Sequence, residues 1–422
     1  MRGLLWADSS AEPPPTTEPL AGEAACAVAV IGGGFTGLST ALHLAGQGSD
    51  CRLLEAGRVG AGASGRNNGQ VIPGLKLGPA ALRERYGDAG AAVVETAAGA
   101  ADLVFDLIDR HAIACEPERR GWLRAAQSAP ALRQVEALAR DLQAQGAPVA
   151  LLDAEETAAA LGSPAYLGGL IDRRAGRLQP LAYCRGLARA AQAAGANLHE
   201  ESPVQSLERQ GERWILRTPQ GVLRAEAVVM AVGAYGERLW PGWSRGFITV
   251  QSMQIASAPL SSNLRAAVLP GASAMSDSRK LATALRLDAE GRLCIAGRGP
   301  LNGRMGPGVH RQLQRNALRL FPALADTQWT HAWPGRIAVT LDALPRLTSP
   351  APGLYAIVGF NGRGVAMATA LGKAAAEHLL GRPAGFPLVP APPVPLHRLR
   401  RPLLAAAIAY YRLRDAAGLA SN

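Results

Sequence analysis

The chain is 422 residues long, enough for two or three domains with sizeable cores, and its apolar content is ordinary for a globular protein. Its net charge of +11 is spread along the sequence with no segment of interleaved basic and aromatic residues, which argues against a nucleic-acid partner. No apolar run is long enough to span a bilayer, and the N-terminus reads as neither signal peptide nor anchor. Cys26, Cys51, Cys115, Cys184 and Cys294 form neither a zinc spacing nor a redox pair, so a cytoplasmic, metal-free enzyme is expected.

Residues 1–24 are proline-rich and are expected to lie over the surface as an arm. The stretch 27–55 then reads as strand, tight turn, helix and strand. Gly32, Gly34 and Gly37 spell G-x-G-x-x-G, and Leu38, Ala41, Leu42 and Ala45 repeat at helical spacing. In such a turn the first glycine permits the bend, the second lets backbone approach a pyrophosphate, and the third lets the helix pack on the strand. The helix N-terminus offers aligned N–H groups to the anion. Glu55 ends the second strand, can accept ribose hydroxyls, and would repel the 2′-phosphate of NADP. Gly60, Gly62 and Gly65 repeat the spacing with no strand before them and no clear helix after, and read as a plain turn.

The loop 56–76 is rich in glycine, serine and asparagine. It is expected to wrap a second part of the cofactor with backbone N–H groups and the side chains of Ser64, Arg66, Asn67, Asn68 and Gln70; the alternative is a flexible linker. A helix is expected over 80–112, a strand over 121–124, and helices over 132–145, 153–161 and 181–195. Strands follow at 197–198 and 204–207, then a hairpin of 214–217 with 222–225, then an apolar strand 227–232 that ends in Gly233. Residues 246–334 alternate like strands and carry no nucleotide motif. A strand at 354–358, a glycine turn at 359–364 and a helix from Val365 repeat the strand–turn–helix arrangement. The proline-rich tail from residue 383 ends in a basic and apolar segment. That segment is expected to pack on the body, with weak peripheral membrane contact as the alternative.

Four stretches taken in order resemble one superfamily: IGGGFTGLSTALHLA, GASGRNNGQ, AVVMAVGAYGERL, and WPGRIAVTLDALPRL through GLYAIVGFNGRGVAMATALG. They are similar to the FAD-dependent amino-acid and amine oxidoreductases related to glycine oxidase, D-amino-acid dehydrogenase and sarcosine oxidase. ASGRNNGQVIPGLK is most similar to the gamma-glutamylputrescine oxidoreductase branch. The resemblance implies an α/β fold (α+β overall) with a Rossmann-like, discontinuous FAD-binding domain at 25–80, 165–245 and 335–382. An antiparallel-sheet substrate domain at 81–164 and 246–334 would cover it, leaving 383–422 as a tail with a short helix.

The resemblance also implies site residues. Gly32, Gly34, Phe35, Thr36 and Gly37 would face the pyrophosphate, and Glu55, Ala56 and Arg58 the adenosine. Ala63, Ser64, Arg66, Asn67, Asn68, Gly69 and Gln70 would run toward the flavin, and Val204 would meet adenine through its backbone. Ala231 and Gly233 would lie under the cofactor. Gly335, Asn361, Gly362, Arg363, Gly364 and Val365 would reach the flavin. No histidine follows the loop and Cys294 reads as core, so FAD is expected to be noncovalent. Arg336 stands one position early relative to the family's Trp-x-Gly-x-Arg-Pro segment. It either clamps a substrate carboxylate or contacts flavin and packs. Lys280 is a candidate positive charge near the flavin, against the plainer reading of a solvated lysine.

The implied reaction oxidises the C–H next to nitrogen of an amine or amino acid by hydride transfer to flavin N5, giving an imine that hydrolyses. Oxygen or another electron acceptor completes the cycle. A hydroxy-acid or alcohol dehydrogenase and a non-catalytic flavin-bearing subunit are the alternatives.

Overall fold

The chain passes repeatedly between two eight-stranded sheets. The computed structural model describes residues 3–236 and 238–416. Residues 1–2 of the expected arm, 417–422 of the tail, and Glu237 in the AVVMAVGAYGERL stretch lie outside the described residues. A short helix α1 (Leu5–Asp8) precedes β1 (Gly22–Ile31), α2 (Phe35–Ala45) and β2 (Cys51–Leu54). After a turn-rich loop come β3 (Gln70–Val71), α3 (Pro79–Tyr86), α4 (Gly90–Arg110), β4 (Trp122–Ala126) and α5 (Ala129–Gln143). Next are β5 (Val149–Leu152), α6 (Ala154–Leu161), β6 (Gly168–Asp172), β7 (Gly176–Arg177), α7 (Pro180–Ala193) and β8 (Asn197–His199). The chain continues through β9 (Ser206–Gln210), β10 (Arg213–Arg217), β11 (Gly221–Met230), β12 (Ile248–Pro259), α8 (Ser262–Ala267), β13 (Ala274–Asp277) and β14 (Ala284–Leu287). The remaining elements are β15 (Arg292–Arg298), α9 (Pro307–Leu320), β16 (Trp329–Val339), β17 (Arg346–Ala351), β18 (Leu354–Val358), α10 (Gly364–Leu379) and α11 (Arg400–Ala416).

The first sheet has the order β17-β18-β11-β1-β2-β8, with β10 and β9 added beside β11. Its centre is parallel: β1 lies between β11 and β2, and β18 joins the far side of β11. The end of β1 is buried on both faces, as the unbroken apolar run in a parallel sheet requires. Helices α2, α4, α7 and α10 share one core against this sheet, and Trp214, Trp243 and Phe247 fill the other face. Small residues let α2 and α10 touch: Thr40 Oγ1 donates to the Gly372 carbonyl at 3.0 Å.

The second sheet runs β16-β12-β15-β14-β13-β4-β6-β5 and is antiparallel except between β13 and β4. Between the two sheets, β3 pairs with β7 in a two-stranded piece. Local signals explain several helix ends. Asp153 and Glu156 make a reciprocal capping box at α6, and Gln179 caps α7 just before Pro180.

Several elements differ from the sequence expectation. The helix expected over 80–112 is two helices, broken at Gly87 with positive φ. The strands expected at 222–225 and 227–232 are one ten-residue strand, because β1 pairs with β11 along almost its whole length. The strand expected at 204–207 starts at Ser206. Helix α4, expected with the substrate domain, lies in the first sheet's core, whereas β6, expected with the FAD domain, pairs in the second sheet.

The N-terminal arm is not a surface cover. Leu5 and Trp6 are buried in a cluster with Leu181, Ala256, Cys294 and Trp333, which belong to both halves of the molecule. Glu12 is buried as well, bonded to Arg189 at 2.6 Å and to the Ala114 N–H at 2.9 Å. The tail differs in the opposite sense: α11, expected to pack on the body, leaves most of its side chains in solvent.

Candidate active site

The glycine turn closes on itself through contacts that admit no side chain. Gly32 has φ +111°, and a Cβ on Gly37 would stand 2.0 Å from the Gly32 carbonyl oxygen. The helix start is therefore pressed onto the strand end. Helix α2 has no side-chain cap at Gly34. Ser64 Oγ accepts from the Phe35 N–H at 3.0 Å, which brings the loop 56–70 across the helix start. The remaining first-turn N–H groups have no intrahelical partner, as a pyrophosphate cradle needs.

Glu55 stands beside this turn. Its carboxylate accepts from the Gly33 N–H at 2.6 Å and the Gly57 N–H at 2.9 Å. Burial raises its pKa while those backbone donors oppose the rise, and both oxygens keep lone pairs for ribose hydroxyls. Arg58 is exposed and bridges Glu200 and Glu201, each at 3.0 Å. Ala231 donates its N–H to the Ile31 carbonyl, and Gly233 opens a 3₁₀ turn directly after it. Val204 lies in the irregular stretch before β9, half-buried against the first sheet. Together these groups fit the adenosine and pyrophosphate of FAD. All five cysteines are buried, and burial raises their thiols, so none is poised as a nucleophile.

The loop 64–70 has a second task that the sequence did not disclose. Asn67 Nδ2 donates to the Ala63 and Ser64 carbonyls, and Asn67 Oδ1 accepts from the Gly69 N–H. Asn68 meets Gln254, and Gln70 meets Asn68, Ser276 and the Met275 carbonyl. The Arg66 carbonyl receives Gln254 and Trp333, while the Arg66 side chain donates to Ala61 and Pro334. These side chains tie the loop to the second sheet, leaving mainly backbone for a cofactor.

At the other end, Asn361 accepts from the Thr340 N–H at 3.0 Å and donates to Thr340 Oγ1, which fixes the turn before α10. Gly362 follows with φ +88°. Arg363 is buried, donates to the Pro73 carbonyl at 2.8 Å and stacks on Trp122 at 4.8 Å. Burial and the neighbouring Arg124 lower its pKa to about 9. Gly364 and Val365 begin α10, which has no side-chain cap.

The structure separates the two expected catalytic residues. Arg336 is exposed on β16 and stacks on Tyr235 at 5.5 Å, while Gly335 next to it faces Arg66. Lys280 is exposed in the turn between β13 and β14 and acts electrostatically on Lys76.

Lys76 and Arg124 were not singled out from sequence. Arg124 and Trp122, two apart on β4, share one face, so Arg124 stands beside the Trp122–Arg363 stack. Lys76 follows Pro73, the acceptor for Arg363, by three residues. Lys76 is exposed to solvent, although the surrounding protein crowds its ammonium group. Burial, Arg363, Arg124 and Lys280, in that order, lower its pKa to about 7. Neither the Lys76 nor the Arg124 side chain makes a hydrogen bond or ion pair among the described residues. Asp172, whose charge favours the Arg363 cation, is itself held by Arg174 at 2.7 Å. A signal for Lys76 was present: the chain has only three lysines, and one closes the glycine-rich loop.

Comparison with known proteins shows the family and the fold. Residues 27–378 match the family model described as FAD dependent oxidoreductase (DAO). The chain is 32% identical to a probable oxidoreductase OrdL of Rhizobium meliloti, over 98% of this chain and 97% of that protein. It is 31% identical to gamma-glutamylputrescine oxidoreductase of Escherichia coli, over 93% of this chain and 94% of that one. The crystal structure of glycine oxidase from Geobacillus kaustophilus has the same fold, with a TM-score of 0.74 at 22% identity, covering 88% of this chain and 99% of that one. No helix of the described residues is long and apolar enough to cross a membrane.

Proposed function

The chain belongs to the DAO family of FAD-dependent oxidoreductases acting on amines or amino acids, and on that premise we propose that it oxidises an amine that also carries a carboxylate. The observation that carries this reading is the cluster of positive charge beside Arg363, where Arg124 and Lys76 have no acidic partner among the described residues. Neighbouring cations that lack a counter-charge repel one another and favour an incoming anion, so the cluster selects a negatively charged group. Free polyamines, which are cations, are disfavoured by the same charges. The similarity to gamma-glutamylputrescine oxidoreductase supports the choice, because a gamma-glutamylated amine carries a carboxylate at one end and an amine at the other.

The roles within the chain follow. Bound FAD supplies the acceptor for hydride from the carbon next to nitrogen, and oxygen or another acceptor takes the electrons. The α2 turn and Glu55 hold the adenosine end, noncovalently. Arg124 binds the carboxylate, two-pronged where geometry allows, and fixes which carbon is presented. Lys76 adds charge in its protonated form and can accept a proton in its neutral form. With a pKa of about 7, it can help keep the reacting amine neutral. Arg336 takes no part in clamping the substrate, and Lys280 acts only through its field.

The test is anaerobic. The purified yellow protein is mixed with gamma-glutamylputrescine, putrescine, simple amino acids, N-methyl amino acids and 2-hydroxy acids, and flavin absorbance is followed. Bleaching by carboxylated amines and not by putrescine is expected. Bleaching by free putrescine alone, or by hydroxy acids alone, overturns the reading.

A further inference from the structure

Helix α11 breaks the rule that an apolar helix is buried. Residues 403–411 read LLAAAIAYY, with no charged side chain. Yet Leu403 and Tyr410 are about half exposed, Leu413 is 72% exposed, and Leu396 and Leu399 in the preceding turn are exposed as well. None of the α11 side chains among the described residues belongs to the hydrophobic clusters of the body. The helix is tethered through a proline-rich segment in which Val394 is buried and donates its N–H to the Arg245 carbonyl at 2.6 Å.

Charge brackets the apolar run. Arg398, Arg400 and Arg401 precede it, Arg412 and Arg414 follow it, and Asp415 is the only acid in residues 383–416. Arg412 also lies near Arg298 on the body, which adds to the positive field and gives the body no attractive grip on the helix. At 1.5 Å per residue, nine apolar residues extend about 13 Å, far short of a bilayer core of about 30 Å. The segment can therefore lie in an interface but cannot span one.

We infer that α11 docks on a membrane surface rich in anionic phospholipid, with Leu403, Tyr410 and Leu413 at the acyl boundary and its arginines on the headgroups. An apolar patch between two basic ends matches such a surface in both respects. A protein partner would have to supply an apolar groove with acidic rims. A second copy of this chain offers basic ends against basic ends.

The experiment uses the full-length FAD-loaded protein in flotation with phosphatidylcholine vesicles, with and without phosphatidylglycerol. Binding to the anionic vesicles, weakened by salt, is expected. Arg400→Glu with Arg401→Glu is expected to lower the partition by more than about tenfold, since each arginine near such a surface contributes about fivefold, or ~1 kcal/mol. Leu403→Asp is expected to abolish binding, with unchanged flavin spectrum and melting temperature because α11 joins no core. Failure of the parent protein to bind anionic vesicles overturns the inference. So does equal binding to neutral ones, or binding that survives both variants. A dimer in sedimentation velocity that Leu403→Asp converts to monomer, without vesicle binding by the parent, also overturns it and assigns the helix to a second copy.

Discussion

Replacing Trp6 by alanine tests how the arm works. The indole is fully buried, its N–H donates to the Asn67 carbonyl at 2.8 Å, its ring meets Trp333 edge-on at 5.6 Å, and the Arg286 guanidinium stacks on it at 4.5 Å. Truncating a buried tryptophan costs about 3–5 kcal/mol, a figure that already contains the ring contacts. The expected loss is therefore about 4 kcal/mol, close to a thousandfold in the equilibrium for arm docking. Arg286 would then be left with a buried Nη2 that has no partner now and no ring either. Because Asn67 belongs to the cofactor loop, the loss should reach FAD as well. Two assays follow it: hydrogen exchange of the arm and of the 64–70 amides, and FAD affinity by quenching of flavin fluorescence. Trp6→Phe, which keeps a ring and loses the donor, should cost about 1–2 kcal/mol. An alanine variant within about 1 kcal/mol of the parent, with unchanged FAD affinity, would refute the reasoning, since surface substitutions behave that way.

Arg124→Met should raise KM for a carboxylated amine by about 30-fold or more with kcat nearly unchanged, whereas Arg336→Met should leave both within about threefold; steady-state kinetics with one substrate decides, and the reverse order would return the clamp to Arg336. Lys76 has its pKa lowered from 10.5 to about 7, chiefly by burial. A carboxylate inhibitor should therefore bind tightest below that value and weaken as pH rises through it, and an unchanged slope in Lys76→Met would sink the assignment. The same shift has a stability sign: between about pH 7 and 10.5 the unfolded lysine holds more proton than the folded one. Stability should rise with pH across that window, and denaturant midpoints of the parent should show a slope that Lys76→Met removes. Gly37→Ala would place a methyl 2.0 Å from the Gly32 carbonyl, against backbone that cannot yield; the soluble fraction should carry no FAD, and full flavin occupancy would contradict that packing.

The nucleotide turn was legible because its physics is local. Three glycines, a helix period and one acid fall within 29 consecutive residues, and each has a single stereochemical reason to be there. The fold class followed from that turn and its ordered companions. Pairings between distant segments were not legible. Nothing in the residues of β6 says that it joins β4 in place of the first sheet, because a short buried strand reads the same in either. Likewise 222–225 and 227–232 read as two strands, since the exposed Glu226 interrupts the apolar pattern while the ladder with β1 continues through it. At the site, Arg336 drew attention through a motif and Lys280 through its charge, but the structure stacks Arg336 on Tyr235 and leaves Lys280 in a turn between two strands. Arg124 sits in a strand with no motif around it, and only the fold brings it beside Arg363 and Lys76. The arm misled for a compositional reason: prolines from residue 13 on suggest a surface segment, whereas the buried part is the apolar pair before them.

The seat of Trp6 lies on Trp333, and Asp8 meets His331 at 3.2 Å, so residues made early in synthesis wait for a strand made more than three hundred residues later. Until β16 has left the ribosome, the arm has no place to lodge and the cofactor loop has no roof. Contacts of such sequence separation form late, after the loop-closure entropy has been met. The glycine turn is local in sequence, but its strand waits for β11 and its helix for α10, which is made later than β16. The molecule therefore closes its nucleotide cradle and its arm together, and only when nearly the whole chain is present.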